Sequence, residues 1–349
     1  MSHGRWPKAI GLMLAVGLLA TACGGSTSNN GTKKYVVGIS NTLTGNGFRE
    51  EMICSIKAQA KASGVVSKII TANRTTDPSG QIADMRNLIS AGVNVIVVNP
   101  SDRSALDAVI KEASDKGIIV VTVDQGVTSP LAYQLYNNQV KYATLGAEWL
   151  FKQLNGTGNV VEMRGINGVS ADADRHNGFT QTLAKYPNIK VVKMTFTNWS
   201  LDPAAQQTKD ILSSGLKVDG IWTSGIDSTV VDTYTTQKKK YVPVIGADNN
   251  AFIGQLTTLK SQGLLGAAVT NPPTVGGAGL AVGLDVLQGR TQPKLINLDP
   301  VIWDNVSDAG QKELKDHYDS TLNAYYSVSY QVAPYTTYTK ADLLACADI

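Results

Sequence analysis

The sequence predicts an α/β protein built as two doubly wound parallel-sheet lobes joined by a hinge. Short β-branched apolar runs alternate with helix-length amphipathic segments along most of the 349 residues. Each link between runs is long enough to hold a helix rather than a hairpin, so the strands run parallel by the crossover rule. The alternation passes through a polar stretch at 137–139 and then continues, giving two series of similar size.

The first strand is the run Val36-Val37-Gly38-Ile39-Ser40. It stops at a polar, glycine-bearing loop, which opens into a helix with Met52, Ile56 and Ala60 at four-residue spacing. In an open parallel sheet such turns lie at the carboxyl edge, where small ligands settle. This one offers Asn46, Phe48 and Arg49: an amide, a flat apolar face and a forked donor. The plainer alternative is that Phe48 packs at the helix start and Arg49 is solvated. A strand follows at 65–71 and a helix at 80–91, with Ile82, Met85, Leu88 and Ile89 on one face. The strand at 93–98 is almost wholly apolar, as one covered on both sides should be. Its turn, Asn99-Pro100-Ser101-Asp102, leads to a helix ending near Lys116, and the strand at 118–123 ends in Asp124-Gln125-Gly126.

A second series begins with the short run 133–136 and the polar turn Asn137-Asn138-Gln139. Helices are expected at 142–154, 171–186, 203–214, 228–237 and 251–262, with strands at 159–163, 190–196, 220–224, 242–246 and 265–269. The hinge falls at 137–139 and 270–273. A helix from Pro272 to Leu287 and a strand at 295–299 return to the first lobe. The expected first lobe is therefore 35–137 with 272–303, and the second 138–271 with 304–330. The stretch from Val306 onward is aromatic-rich and loses its periodicity toward its end, and 331–349 is left as a C-terminal tail with no assigned place.

Residues 1–22 read as an export signal: Arg5 and Lys8 precede an apolar run too short to span a bilayer. The run ends in Ala20-Thr21-Ala22-Cys23-Gly24-Gly25, which resembles the bacterial lipoprotein cleavage box and implies that Cys23 is lipidated. The alternative is an ordinary cleaved signal. Residues 23–34, rich in Gly, Ser and Asn, form a flexible tether. About 315 residues remain, enough for two lobes. The formal net charge is +3, and the only block of like charge is Lys238, Lys239 and Lys240, so nucleic acid is not an expected partner. Besides Cys23, two cysteines remain, Cys54 and Cys346. In an exported chain they form either a disulfide between the first helix and the tail or two unrelated buried thiols.

Many strand ends carry polar residues able to face one cleft: Asn46, Phe48 and Arg49; Asp124 and Gln125; Asn138 and Gln139; Arg175; Trp199; Asp227; Asp248 and Asn249; and Asn271. Amides, carboxylates and arginine satisfy clustered hydroxyls, while Phe48 and Trp199 can cover C–H faces. Each taken alone is equally a helix cap or a turn. Enzyme signatures are absent: there is no G-x-S-x-G elbow and no phosphate-binding G-x-x-x-x-G-K-[ST] loop. Asp172, Asp174 and His176 at a helix start complement the dipole better than they hold a cation.

These residues resemble the sugar-binding lipoproteins of bacterial ABC importers, close to the ribose-binding type. The resemblance rests on Asn46-Gly47-Phe48, Val97-Val98-Asn99-Pro100-Ser101-Asp102, Val121-Thr122-Val123-Asp124, Asn138-Gln139, Ala173-Asp174-Arg175-His176-Asn177-Gly178-Phe179 and Val244-Ile245-Gly246-Ala247-Asp248, in family order over about nine tenths of the mature chain. It implies the type I periplasmic binding protein fold. It also implies ligand contacts from Asn46, Asp124, Arg175, Asp248 and Asn271, stacking by Phe48 and Trp199, and Asn138 or Gln139 at a lobe crossing. Asp227 is a weaker transfer, because Ser224-Gly225-Ile226-Asp227 departs from the family pattern.

Three further departures bear on the ligand. Arg49 stands where the family often has a second aromatic, Gln125 where it has arginine, and Ala247 where it has an aromatic. Fewer flat faces and an added charged fork favour a small acyclic polyol of four to six carbons, such as a tetritol or pentitol, over a pyranose. A pentose, a hexose or a chemosensory signal molecule are the alternatives. The resemblance implies capture and delivery to membrane permease subunits, with no catalysis, no cofactor and no metal. The expected state is a monomer, exported and anchored by its N-terminal lipid to the outer face of the cell membrane. A repressor of the same fold would need a DNA-binding helix-turn-helix where this chain has an export signal.

Overall fold

The computed structural model describes residues 34–349. The signal, Cys23 and nearly all of the tether lie outside the described residues. The first sheet takes β1 (Tyr35–Asn41), β2 (Val66–Asn73), β3 (Val95–Val98), β4 (Ile119–Asp124), β5 (Tyr133–Asn137) and, from far along the chain, β11 (Leu295–Leu298). Their order is β11-β5-β4-β3-β1-β2, and every pairing is parallel. The run 133–136, which reads as the opening of the second series, is thus a strand of the first sheet. The chain changes lobe only after it.

The second sheet takes β6 (Thr157–Arg164), β7 (Asn188–Phe196), β8 (Gly220–Trp222), β9 (Val244–Ala247), β10 (Gly266–Val269) and β12 (Ile302–Asp304), in the order β12-β10-β9-β8-β6-β7. The two orders are equivalent except at one edge, where β12 runs antiparallel to β10.

Sheets and helices pack as the apolar patterns require. Along β3, Val95 and Val97 enter one core while Ile96 and Val98 enter the opposite one, which is why the strand has no polar face. The first of these cores is closed by α1 (Gly47–Ser63) and α9 (Val275–Leu287), the second by α2 (Pro78–Ser90) and α3 (Asp107–Asp115). In the second lobe α4 (Gln139–Gln153) and α5 (Ser170–Leu183) cover one face of the sheet. The other face is covered by α6 (Leu201–Ser213), α7 (Asp227–Thr236), α8 (Asn250–Thr258) and α10 (Asp308–His317).

The stretch that the sequence does not place has a definite path. Leu322 and Val328 belong to the second lobe's core, whereas Val332 and Tyr335 pack in the first lobe's core. Tyr338 and Leu343 of α11 (Lys340–Ala345) then lie beside Ala58 of α1, where Cys54 and Cys346 form a disulfide. Among the described residues the chain therefore crosses between lobes four times: after β5, after β10, between β11 and β12, and again at about 329–331.

Candidate functional site

The strand ends of both sheets meet at the cleft, and Asn46 shows how one side chain serves two purposes there. Its carboxamide oxygen caps α1 by accepting the Arg49 N–H at 3.2 Å, and its nitrogen donates to the Trp199 carbonyl of the other lobe at 3.1 Å. The cap turns Phe48 and Arg49 toward the cavity. Arg49 is buried, and the structure records one hydrogen bond from its guanidinium, to Asn41 Oδ1 at 3.3 Å. Burial lowers its pKa to about 10; Asp124 raises it and Arg175 lowers it further.

Asp124 ends β4 in the left-handed region, at φ 67°, where a non-glycine side chain costs about 1–2 kcal/mol. In that position its carboxylate accepts hydrogen bonds from three side-chain amides. Oδ1 accepts from Asn137 Nδ2 at 3.1 Å and Gln139 Nε2 at 2.9 Å, and Oδ2 accepts from Asn99 Nδ2 at 3.3 Å. The direction of two of these bonds, from Asn99 and Gln139, is fixed from the opposite lobe. The backbone N–H of Ala171 in α5 can only donate, so Gln125 Oε1 accepts from it at 2.9 Å. Gln125 Nε2 must then donate to Asn99 Oδ1 at 2.7 Å, which leaves Asn99 donating to Asp124. Likewise Arg175 Nε donates to Gln139 Oε1 at 2.7 Å, which forces Gln139 to donate onward. Two relays that begin on α5 thus end on one carboxylate of the first lobe.

From the second lobe, Arg175 lies with its guanidinium carbon 4.4 Å from the Tyr142 ring centre and 5.7 Å from that of Trp199. Trp199 itself sits at φ 50°, and its indole lies so flat on Gly165 that a Cβ there would come within 2.1 Å of the ring. Asp248 is buried; Oδ1 accepts the Asn271 N–H at 3.0 Å, and Oδ2 accepts the hydroxyls of Ser327 and Ser329, each at 2.7 Å. Burial raises its pKa, and these donors oppose the rise.

A cavity of about 90 Å³ lies between these groups, lined by Asn46, Phe48, Arg49, Asp124, Arg175, Trp199, Asp248 and Asn271 among others. That is room for several water-sized groups, each of which needs roughly 10–15 Å³. Two guanidiniums face two carboxylates, so the lining favours an uncharged guest with many hydroxyls.

Four candidates from the sequence lie elsewhere. Gln125 is spent on the relay described above and also accepts the Ser170 hydroxyl at 3.1 Å. Asn138 caps α4, accepting the Lys141 N–H at 3.0 Å and turning its amide nitrogen to Asp299, while Gln139 lies behind Asp124, its amide spent on Arg175 and Asp124 rather than on the cavity. Asp227 sits beneath the floor: it accepts from Asn249 Nδ2 at 2.5 Å and from the Gly225 N–H at 2.9 Å, and burial pushes its pKa up to about 7. Asp172, Asp174 and His176 diverge to Arg164, Arg103 and Glu162. Among the described residues no cluster able to hold a metal ion occurs.

The cavity also takes Tyr325 and Ser327 from the aperiodic stretch. The signal that leads to them is the cysteine pair, since a bond from Cys54 to Cys346 draws the chain's last segment to α1.

A family model described as a periplasmic binding protein domain matches residues 37–291. The chain belongs to the periplasmic binding protein family. A xylitol-binding protein of Mycolicibacterium smegmatis is 29% identical over 299 residues, covering 84% of this chain and 82% of the relative. The ribose import binding protein RbsB of Bacillus subtilis is 25% identical over 300 residues, covering 83% of this chain and 96% of the relative. Among solved structures, an ABC transporter solute binding protein from Thermobispora bispora matches with a TM-score of 0.75 at 27% identity, covering 87% of this chain and 92% of that one. The fold is the type I periplasmic binding protein fold. Periplasmic binding proteins are exported solute-binding components of transport systems and are not enzymes. Among the described residues no helix is long and apolar enough to cross a membrane.

Proposed function

We propose that this chain captures a small uncharged polyol of four to six carbons between its lobes and delivers it to the permease of an ABC importer. In this reading it acts as a monomer held at the outer face of the membrane through a lipid on Cys23. The observation that carries the reading is the cavity's chemistry: balanced charge, a small volume, and two guanidiniums from each of which the structure records a single hydrogen bond to protein. Each guanidinium has five N–H donors, so most are free to meet hydroxyl oxygens. Asn46, Asp124, Asp248 and Asn271 complete the polar set, and Phe48 with Trp199 covers the carbon chain. The M. smegmatis relative described as xylitol-binding supports a sugar alcohol. A pentose is the second reading, favoured by the two aromatic faces and by the ribose import relative.

A thermal-shift screen of the mature chain against tetritols, pentitols, hexitols, pentoses and hexoses tests this. A ligand at a hundredfold its dissociation constant stabilises by about 2.7 kcal/mol. A raised midpoint with a pentitol or tetritol supports the reading, a response to pentoses alone selects the second, and no response to any member ends both.

A further inference from the structure

We propose that the segment leading into the last crossing, residues 325–329, is a wall of the binding site that selects ligand length, with Tyr325 as its rim and Ser327 as its polar contact. The assignment rests on the polyol reading above. Both residues line the cavity, although they are some 50 positions beyond the last of the other lining residues, Asn271.

The segment is fixed from both lobes. Asn249 and Ser327 form an antiparallel bridge, the Asn250 N–H donates to the Tyr326 carbonyl at 2.8 Å, and the Val328 N–H donates to the Asp248 carbonyl at 3.0 Å. Opposite, the Ser327 N–H donates to Glu51 Oε2 of α1 at 2.7 Å. The first turn of α1 lies directly on the segment: a Cβ at Gly47 would come within 2.5 Å of the Tyr325 carbonyl, so only glycine permits this closeness. Side chains placed by such a frame have little freedom to drift.

Each of the two then has a defined part. The Ser327 hydroxyl donates to Asp248 and accepts the Ser329 N–H at 3.0 Å, so one lone pair is left to receive a ligand hydroxyl. Tyr325 is 45% exposed while lining the cavity, which puts it at the mouth rather than the floor. There its ring supplies an aromatic face that the sequence lacks at Arg49 and Ala247, and it limits how far a carbon chain can extend.

Isothermal titration of the full mature chain with erythritol, xylitol and sorbitol tests this in the wild type and in Tyr325→Ala, Tyr325→Phe and Ser327→Ala. Opening the rim should move the sorbitol-to-erythritol affinity ratio about tenfold toward the longer polyol in Tyr325→Ala, with Tyr325→Phe near wild type. Ser327→Ala should weaken all three about tenfold. The ratio separates a wall from a merely structural residue, because general destabilisation lowers every affinity together. Ser327→Ala removes a single oxygen, and if Tyr325→Ala does not fold, a thermal midpoint of unliganded Ser327→Ala matching the wild type separates a lost ligand contact from general destabilisation. Wild-type affinities and an unchanged ratio in both alanine variants overturn the assignment alone. No binding by the wild type to any of the three polyols overturns the polyol reading and this assignment with it.

Discussion

The two lobes present one carboxylate each to the cavity, and the two are held in different ways. Asp124 receives amide nitrogens from Asn99, Asn137 and Gln139, and two of these donors are oriented by relays that begin at fixed N–H groups of the opposite lobe. Asp248 receives a backbone N–H and two serine hydroxyls brought by the segment leading into the last crossing. An amide locked in a relay cannot exchange donor for acceptor, whereas a hydroxyl rotates and can do either. The first lobe's half of the site is therefore rigid in hydrogen-bond sense, and the second lobe's half is adaptable but depends on a distant part of the chain.

Buried acid accumulates around the adaptable carboxylate, two of the three groups on the second lobe and Glu51 facing them from α1. Burial pushes Asp227 up to about 7 from an ordinary 3.8 and raises Asp248 and Glu51, which meet at Ser327. The folded chain then holds protons that the unfolded chain releases, so stability should fall as pH rises from about 4 toward 7. Asp227 alone accounts for up to roughly 4 kcal/mol of that fall. Denaturant titrations across this range should show the slope, and Asp227→Asn should flatten it; a stability that rises toward pH 7 contradicts the assignment of buried acid.

Asparagine substitution sharpens the contrast between the two carboxylates. Asp124→Asn sets an NH2 group against a donor that cannot turn, at roughly 1–3 kcal/mol, and should weaken ligand binding by up to about a hundredfold. Asp248→Asn faces hydroxyls that can turn to accept and should cost less than about tenfold. Titration calorimetry on both variants reads the difference, and equal losses would remove the distinction.

The smallest effect is expected where the lobes meet in solvent. Arg103 and Asp174 pair across the cleft at 2.5 Å, but their side chains are 45% and 36% exposed. Such pairs contribute about 0–1 kcal/mol, so Asp174→Ala should change affinity by no more than about fivefold, and less at high salt. A larger loss would mean that closure leans on the rim rather than on the buried relays.

The alternation of strands and helices and the polar groups at the strand ends were legible because a parallel α/β chain announces itself by period, and its strand ends are where ligands settle; the order of the strands within each sheet was not. Direction within a turn was not legible. Asn138 and Gln139 are adjacent amides at one crossing, and only the completed start of α4 makes one the cap and the other the link to Asp124. Gln125 has the chemistry of a ligand contact, yet its partners are Asn99, Ser170 and Ala171, and nothing local distinguishes the two outcomes. Tyr325 and Ser327 were hidden for another reason. Their segment has no helix or strand period and is held by bonds from residues about 75 positions away in sequence, at Asp248 to Asn250.

The bond between Cys54 and Cys346, 292 residues apart, makes a covalent ring of almost the whole folded chain. Proteolysis at any single exposed loop inside that ring opens it without releasing a fragment, so the nicked molecule keeps its mass until a thiol is added. Damage of this kind would leave both halves of the trap attached to each other.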